Sequence, residues 1–504
     1  MGAFENVKDD ERLAPDVYHQ GPDTLQISRS KLHQKIRAKV LQRMKEKLGD
    51  ELGVILLQGG GPFHIHSTDM EGCFRQEGYF HYMFGVEEED FYGAVLRSGH
   101  SILFMPRLPP EHAVWMGPIA GTEAVRQKYA VDAVHYVDEM AKVLKQLEAP
   151  ALHLLCGINS DSGRPALEAS FEGIDSFSVE REALFPIMAD CRAVKTPEEI
   201  EVMRYANQVA SSAHVEVMRK CRPGLMEYAL EAVFLKDCYL LGGCRHAPYT
   251  PICASGPNGA VLHYGHAAAA NNRQIQDKDM MLMDMGCEYY AYDSDITCSF
   301  PANGRFTDNQ RGVYESVLAA HQAVLEAMRP GVKWPDMHLL AERALLGGLK
   351  AAGFVRGDVG EMLDKRLGAV FMPHGLGHLL GIDTHDVGGY LAGLPPRSTL
   401  PGLRSLRTAR VLEAGMVITV EPGCYFNEFT MRPALQDPAL AHLLVSERIE
   451  ALMGTGGVRL EDDVVVTPDG CESLTNVPRA VAEVEAVMAG GEWPDTALSE
   501  QMSA

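Results

Sequence analysis

Four carboxylates stand where the sequence makes a carboxylate expensive. Asp284 lies in Met281-Leu282-Met283-Asp284-Met285-Gly286 and Asp295 in Asp293-Ser294-Asp295-Ile296-Thr297. Glu421 ends Val417-Ile418-Thr419-Val420-Glu421-Pro422-Gly423, and Glu461 lies in Val458-Arg459-Leu460-Glu461-Asp462-Asp463-Val464. An ionised carboxyl group in an apolar strand must be paired, hydrogen-bonded or bound to metal. An edge strand or an arginine partner explains any one of them as well as a metal does. Four together, with a histidine-rich segment beside them, point to divalent cations.

That segment is Pro373-His374-Gly375-Leu376-Gly377-His378-Leu379-Leu380-Gly381-Ile382-Asp383-Thr384-His385-Asp386. Its glycines let the backbone approach a site closely. They also argue against one helix presenting two histidines to a zinc ion, and the H-E-x-x-H pattern is absent. Phe371, Leu376, Leu379 and Ile382 predict a packed loop rather than a solvated one. Strand alternation places Leu282 with Asp284, Asp293 with Asp295 and Thr297, and Arg459 with Glu461. Arg459, and with it Thr297 and Thr419, is read as orienting the ligating carboxylates. Asp462 should point away, while Asp463 and Asp293 share the favoured faces and stay ambiguous. Carboxylate oxygens with an imidazole suit Mn²⁺, Co²⁺, Fe²⁺ or Zn²⁺. Two such ions can deprotonate a shared water and polarise a carbonyl, which is a design for hydrolysis.

Other constellations carry less. Cys253 and His263 lack a third orienting group, so a core thiol explains Cys253 better than a nucleophile. Ser255 lacks the G-x-S-x-G frame. Arg404 and Arg407, in Gly402-Leu403-Arg404-Ser405-Leu406-Arg407-Thr408, are either a solvated loop or a clamp for a substrate carboxylate, which arginine binds bidentately. The cluster Gly59-Gly60-Gly61 is followed by Pro62, with no Lys-Ser/Thr pair, and reads as a tight turn rather than a phosphate cradle.

These residues need elements to carry them. Gly53–Leu57, Gly93–Leu96 and Ser101–Met105 read as buried strands, with helical patterns over Lys31–Leu48 and Val137–Leu147, so the first part of the chain is expected to be α/β. Thr196-Pro197-Glu198-Glu199 is a strong helix start, with a capping box and proline at the first position. The helix should run to about Arg219. Helices over Asp308–Met328 and Pro335–Ala352 alternate with strand candidates Met280–Gly286, Tyr290–Phe300, Val417–Glu421 and Val458–Thr467, an α+β layout. The domains are therefore expected at 1–193 and 194–490, with a polar tail over 491–504.

At 504 residues and 46% hydrophobic content the chain is globular and has more than one domain. Its net charge of −22 opposes phosphate backbones and anionic membranes, so neither nucleic acid nor membrane is an expected partner. No apolar run is long enough to span a bilayer, and Met1–Asp10 has no signal-peptide pattern. Eleven cysteines, an odd number without C-x-x-C spacing, suggest free thiols in a reducing compartment, hence a cytoplasmic location.

The sequence resembles the pita-bread metallopeptidases, which include methionine aminopeptidase, aminopeptidase P, creatinase and prolidase. The order Asp, Asp, His, Glu, Glu and the eleven-residue step from Asp284 to Asp295 match that family. Leu262-His263-Tyr264-Gly265-His266, Asp295-Ile296-Thr297-Cys298-Ser299-Phe300-Pro301, His374-Gly375-Leu376-Gly377-His378 and Gly402–Thr408 resemble its Xaa-Pro dipeptidase (prolidase) branch. So do Phe74-Arg75-Gln76-Glu77 and Glu111-His112-Ala113-Val114-Trp115-Met116-Gly117 in the first domain. The resemblance implies an α/β first domain, helping dimerisation and covering the substrate, before a pita-bread catalytic domain. It implies two metal ions per chain, Mn²⁺ by preference: Asp284 on one, His378 and Glu421 on the other, Asp295 and Glu461 bridging. A hydroxide between the ions would attack the carbonyl before a C-terminal proline. Glu421 would shuttle the proton, and His374 would belong to the catalytic set. His263 and His385 would bind substrate or stabilise the tetrahedral intermediate, Tyr249 would line the site, and Arg407 would bind the proline carboxylate. It also implies a homodimer, with Trp115 near the partner's site. The family usually has a neutral residue at position 293, so Asp293 adds a charge near the metals. The rival readings are an Xaa-Pro aminopeptidase acting on longer peptides and a pita-bread module that only binds peptides.

Overall fold

The computed structural model describes residues 14–147, 150–265 and 270–494. His266 and the end of the expected tail, 495–504, lie outside them. The chain forms two compact units, Met1–Cys191 and Arg192–Ala504.

The first unit is α/β. Its six-stranded mixed sheet runs in the order Ala133–Tyr136, Ser101–Met105, Tyr92–Val95, Val54–Gln58, Leu152–Leu154 and Val179–Glu180. Residues Val54, Leu56, Ala94, Ile102, Phe104 and Leu154 build its core. The helix Arg29–Leu48 starts where the Ser28 side chain accepts from the Lys31 N–H, and it buries Leu32, Ile36, Val40 and Met44. That spacing of four keeps them on one face. The glycine cluster is a turn: the Gly59 N–H donates to Phe91 O and the Gly60 N–H to Gln76 Oε1. Those two amides are spent inside the fold and are not offered to a phosphate.

The second unit is α+β. The helix Pro197–Lys220 opens with the capping box of Thr196 and Glu199. The helices Asp308–Ala327 and Trp334–Ala351 pack along each other. Two antiparallel three-stranded sheets face the site. One runs Ile296–Pro301, Met280–Met285, Ile252–Ser255; the other runs Val417–Val420, Asp462–Val466, Cys471–Ser473. The pair Gly423–Tyr425 and Gly457–Arg459 completes the carrier.

Two expected strands are broken, and the breaks matter. Tyr290 and Ala291 both adopt positive φ, +50° and +59°, and form a tight turn between Glu288–Tyr289 and Tyr292–Asp293. The chain then leaves the ladder at Ser294–Asp295 and re-enters at Ile296. The alternation that grouped Asp293 with Asp295 therefore does not run through. Likewise Val458–Thr467 is two strands, with Leu460 and Glu461 between them. A helix absent from the sequence reading, Glu227–Gly242, packs against Pro197–Lys220. All eleven cysteines are free. Among the described residues no helix is long and apolar enough to cross a membrane.

Candidate metal centre

Each acidic side chain reaches the site through a particular backbone device. Asp284 stands opposite Thr297 in the antiparallel ladder. Asp295, at the break before Ile296, has its N–H bound to Asp463 Oδ2 at 2.9 Å. Glu461, at the second break, donates its N–H to Thr297 O at 3.1 Å. The histidine segment lies against the strand Val417–Val420 and the Glu421 that follows it: Thr419 N–H donates to His378 O at 2.9 Å, and Glu421 N–H to Leu376 O at 2.8 Å. A Cβ on Gly377 would sit 1.9 Å from Thr419 O, so only glycine permits this approach.

The result is one cavity of about 260 Å³ holding Asp284, Asp295, His378, Glu421 and Glu461. Ligand atoms of Asp295, His378 and Glu461 all lie within 4.8 Å of one another. His378 Nε2 is 3.3 Å from Asp295 Oδ2 and 3.7 Å from Glu421 Oε1. Its Nδ1–H donates to Leu379 O at 3.0 Å, so Nε2 faces the carboxylates, donating to Asp295 when protonated and offering its lone pair to a cation when not. Thr419 Oγ1 accepts from His378 N–H at 3.1 Å and donates to Glu421 Oε1 at 3.3 Å.

Arg459 is the cation within this carboxylate group. It donates to Asp284 Oδ2 at 2.5 Å and to Thr297 Oγ1 at 3.0 Å, and Thr297 donates to Glu461 Oε2 at 2.5 Å. Its hydrogen-bonded acid is thus Asp284, while Glu461 Oε2 stands 3.9 Å away and is also reached through Thr297. Asp284 Oδ1 accepts no hydrogen bond among the described residues. Burial pushes Glu421 up to about 7 and Asp284 up to about 6, with Arg459 opposing both shifts. Burial, and then the charges of Asp295 and Glu421, holds Glu461 well above the usual range. For Asp295, burial is outweighed by its hydrogen bond to His378, and its pKa is lowered. Burial would lower His378, but Asp295 and Glu421 outweigh it and raise it. Four carboxyl groups in one buried pocket cannot all ionise against one guanidinium and one imidazole. An orphaned carboxylate oxygen, an imidazole lone pair aimed inward and unneutralised acids are what divalent cations satisfy, so the donor set fits them.

Of the remaining candidates His263, His374, His385 and Arg407 line the same cavity, while Tyr249 is not in its lining and reaches it through Asp295. Tyr249 donates its hydroxyl to Asp295 Oδ1 at 2.6 Å. His374 Nδ1 donates to Gly375 O at 2.7 Å and stands 3.7 Å from Glu421 Oε2. The His378 and His385 rings meet edge-on with centroids 4.5 Å apart. Burial, then His378 and Arg407, pushes His385 down to about 2, and burial, then Arg459, pushes His374 down to about 3. Both imidazoles are therefore neutral near pH 7. His263 and Arg407 line the same cavity, together with Leu262 and Pro373.

Three residues left open by the sequence find other work. Asp293 Oδ2 accepts from Thr384 Oγ1 at 2.8 Å and is not in the cavity lining. Asp463 supports the Asp295 backbone. Asp462 points away and pairs with Arg479. The sequence reading missed Tyr425, whose hydroxyl accepts from Arg459 Nη1 at 2.8 Å and donates to His374 Nε2 at 2.9 Å. It also missed Asp386, bound by Arg192 at 2.7 Å and Lys195 at 2.8 Å, which secures the turn after His385. A tyrosine in an apolar strand carries no flag in sequence, and the Asp386 partners are far away along the chain.

Paired carboxylates carried by two sheets, with a histidine from the loop packed against them, make the donor set of a metallopeptidase. Residues 201–468 match the model for metallopeptidase family M24, and residues 33–154 match that for the aminopeptidase P N-terminal domain. The chain belongs to metallopeptidase family M24. It is 53% identical over 456 residues to the Xaa-Pro dipeptidase of Homo sapiens, covering 90% of this chain and 92% of that one. Its fold is similar to the aminopeptidase PepP of Pseudomonas aeruginosa, with TM-score 0.74 and 33% identity over 92% of this chain and 98% of that one. A zinc-substituted aminopeptidase P of E. coli in complex with product is similar at TM-score 0.72 and 30% identity, over 90% of this chain and 99% of that one.

Proposed function

We propose that the chain hydrolyses Xaa-Pro dipeptides with two divalent metal ions, Mn²⁺ by preference. The observation that carries this reading is Arg407 lining the same small cavity as the carboxylate group. A cavity of about 260 Å³ with a guanidinium in its wall suits a dipeptide whose free carboxylate meets that guanidinium. Asp284, Asp295, His378, Glu421 and Glu461 would hold the ions. When bound, the ions supply a polarised carbonyl and a water acidic enough to attack it near pH 7.

The chain's own residues do the rest. Arg407 binds the carboxylate of the C-terminal proline and sets the register, so that the carbonyl before proline faces the carboxylate group. His263 and His385 donate hydrogen bonds to the developing oxyanion, His385 as a neutral imidazole. Glu421 Oε2 takes the proton of the attacking water and passes it to the proline nitrogen. Tyr425 sets the tautomer of His374, so that Nδ1–H lies on the side of Glu421. Tyr249 and Thr419 keep Asp295 and Glu421 oriented.

The same reading includes a cytoplasmic homodimer with domains at 1–193 and 194–490. Trp115, 84% exposed beside exposed Val114 and Met116, supports an interface on the first unit.

The test is hydrolysis of Gly-Pro and Gly-Pro-Pro by metal-stripped protein before and after Mn²⁺ is added. Cleavage of Gly-Pro alone, and only with metal, is expected. Cleavage of the tripeptide would favour an Xaa-Pro aminopeptidase; the structurally similar proteins above are named aminopeptidases. Cleavage of neither, under any divalent ion, would leave a binding module.

A further inference from the structure

The turn that carries His263 is built on one buried side chain that the reaction itself does not use. Glu227 opens the helix Glu227–Gly242 and is fully buried. Its Oε1 accepts from the Ser255 N–H at 2.7 Å, the Ser255 hydroxyl at 2.6 Å and Asn258 Nδ2 at 3.0 Å. Its Oε2 accepts from the Tyr264 hydroxyl at 2.6 Å and the Arg273 N–H at 3.1 Å. Five donors from four residues fill the two oxygens. The same helix end takes hold of the chain again further on. Glu227 N–H donates to Arg273 O at 3.0 Å and Tyr228 N–H to Asn271 O at 2.8 Å. Glu231 Oε2 accepts from Asn271 Nδ2 at 2.8 Å.

Between the bonds to Asn258 and Tyr264 lies the functional turn. A short 3-10 helix, Gly256–Ala260, leads into it, and the Tyr264 N–H closes it on Val261 O at 3.1 Å. Leu262 and His263 are the two central residues, and both line the cavity. Gly265 follows at φ +88°, where an added Cβ would meet Pro251 O at 3.1 Å. His263 itself is exposed at the cavity wall, and the turn beneath it sets where its imidazole enters the cavity.

We propose that Glu227 is a positioning residue for His263, fixing through Asn258 and Tyr264 the turn from which the imidazole enters the cavity. The proposal rests on the reading of that cavity as the peptide site. A displacement of an ångström in a group that meets the transition state costs about a hundredfold in rate, so such an anchor has kinetic weight.

Tyr264→Phe removes one bond to Glu227 and leaves the other four. It is expected to lower kcat/KM on Gly-Pro about tenfold, mainly through kcat, with Mn²⁺ binding unchanged. In a His263→Ala background the same substitution is expected to change kcat/KM by less than about twofold, because the group it positions is gone. Glu227→Gln should follow the same pattern with a larger loss, since its amide nitrogen accepts from none of the donors. An equal loss in both backgrounds is what a purely structural role gives and would overturn the proposal, as would no loss from Tyr264→Phe. A second readout is independent of activity. In protein with carbon-labelled histidine, the His263 ring signal should shift in Tyr264→Phe, and an unmoved signal would overturn the proposal. If the unaltered enzyme cleaves no Xaa-Pro peptide, the functional reading fails, and the ring signal alone decides the positioning.

Discussion

Two groups of buried carboxylates in the second unit are treated in opposite ways. Asp386 is matched by two buried cations, Arg192 and Lys195, and Gly381 is bare because a Cβ there would lie 2.3 Å from Asp386 Oδ2. Asp462 accepts from Arg479 at 2.6 Å and from Ser473 at 2.9 Å, and His321 stands at 3.4 Å. Burial would raise the Asp462 pKa, but Arg479 outweighs it and holds it below the usual carboxylate range. In the metal pocket four carboxylates share Arg459 and His378, and three of them are raised. Burial is common to both groups, so burial alone does not mark a site. The deficit of protein counter-charge does, and cations must supply what the chain withholds.

The largest contrast should come from removing one acid of each kind. Glu461→Gln is expected to abolish binding of one metal ion and lower activity more than about a hundredfold. It should leave the metal-free protein at least as stable as before, because it relieves like-charge crowding. Asp386→Asn should instead cost about 3–5 kcal/mol in urea unfolding, because it takes the carboxylate from buried Lys195 and leaves Arg192 with Asp383 as its acid. Equal destabilisation by both would erase the distinction.

The pH dependence comes next. Glu421 in the folded, metal-free protein titrates at about 7, above its unfolded value near 4.3. The folded form therefore holds a proton that the unfolded form has released. Its stabilising contribution is complete below about pH 4 and is lost as pH rises through 7. Relative to wild type, metal-free Glu421→Gln should gain roughly 3–4 kcal/mol of stability across that window. His374 and His385, which the same burial pushes low, are present in both proteins and largely cancel. A flat difference between pH 4 and 8, measured by denaturant unfolding, would contradict the assignment.

Smaller effects sharpen the picture further. Arg407→Ala should raise KM for Gly-Pro by about 10- to 100-fold, the weight of a charge-assisted hydrogen bond, with little change in kcat. Ser473→Ala removes one donor from the well-matched Asp462 and should cost about 1 kcal/mol of stability without touching metal binding.

The carboxylates and histidines were legible because their types conflict with their surroundings: an acid among methionines or valines demands an explanation. Helix starts were legible where caps are chemically explicit, as at Thr196. What escaped the sequence depended on contacts distant along the chain or on backbone conformations without a residue signal. Tyr290 and Ala291 turn with positive φ although neither residue favours it, and that turn redirects Asp293 to Thr384. The helix Glu227–Gly242 buries Leu230, Phe234 and Cys238 at spacing four but exposes Tyr239 and Leu240, which blurs its apolar stripe. With that helix unread, the anchorage of the His263 turn on Glu227 stayed hidden too.

The central claim is that the pocket lacks cationic charge until metal binds. Mn²⁺ titration of metal-stripped protein, following ions bound per chain and thermal unfolding together, tests it most directly. The account predicts two ions per chain and a rise in melting temperature, with about 2.7 kcal/mol of stabilisation per site at a hundredfold excess over Kd. Saturation without any thermal shift, or no binding by Mn²⁺, Co²⁺, Fe²⁺ or Zn²⁺, would contradict it.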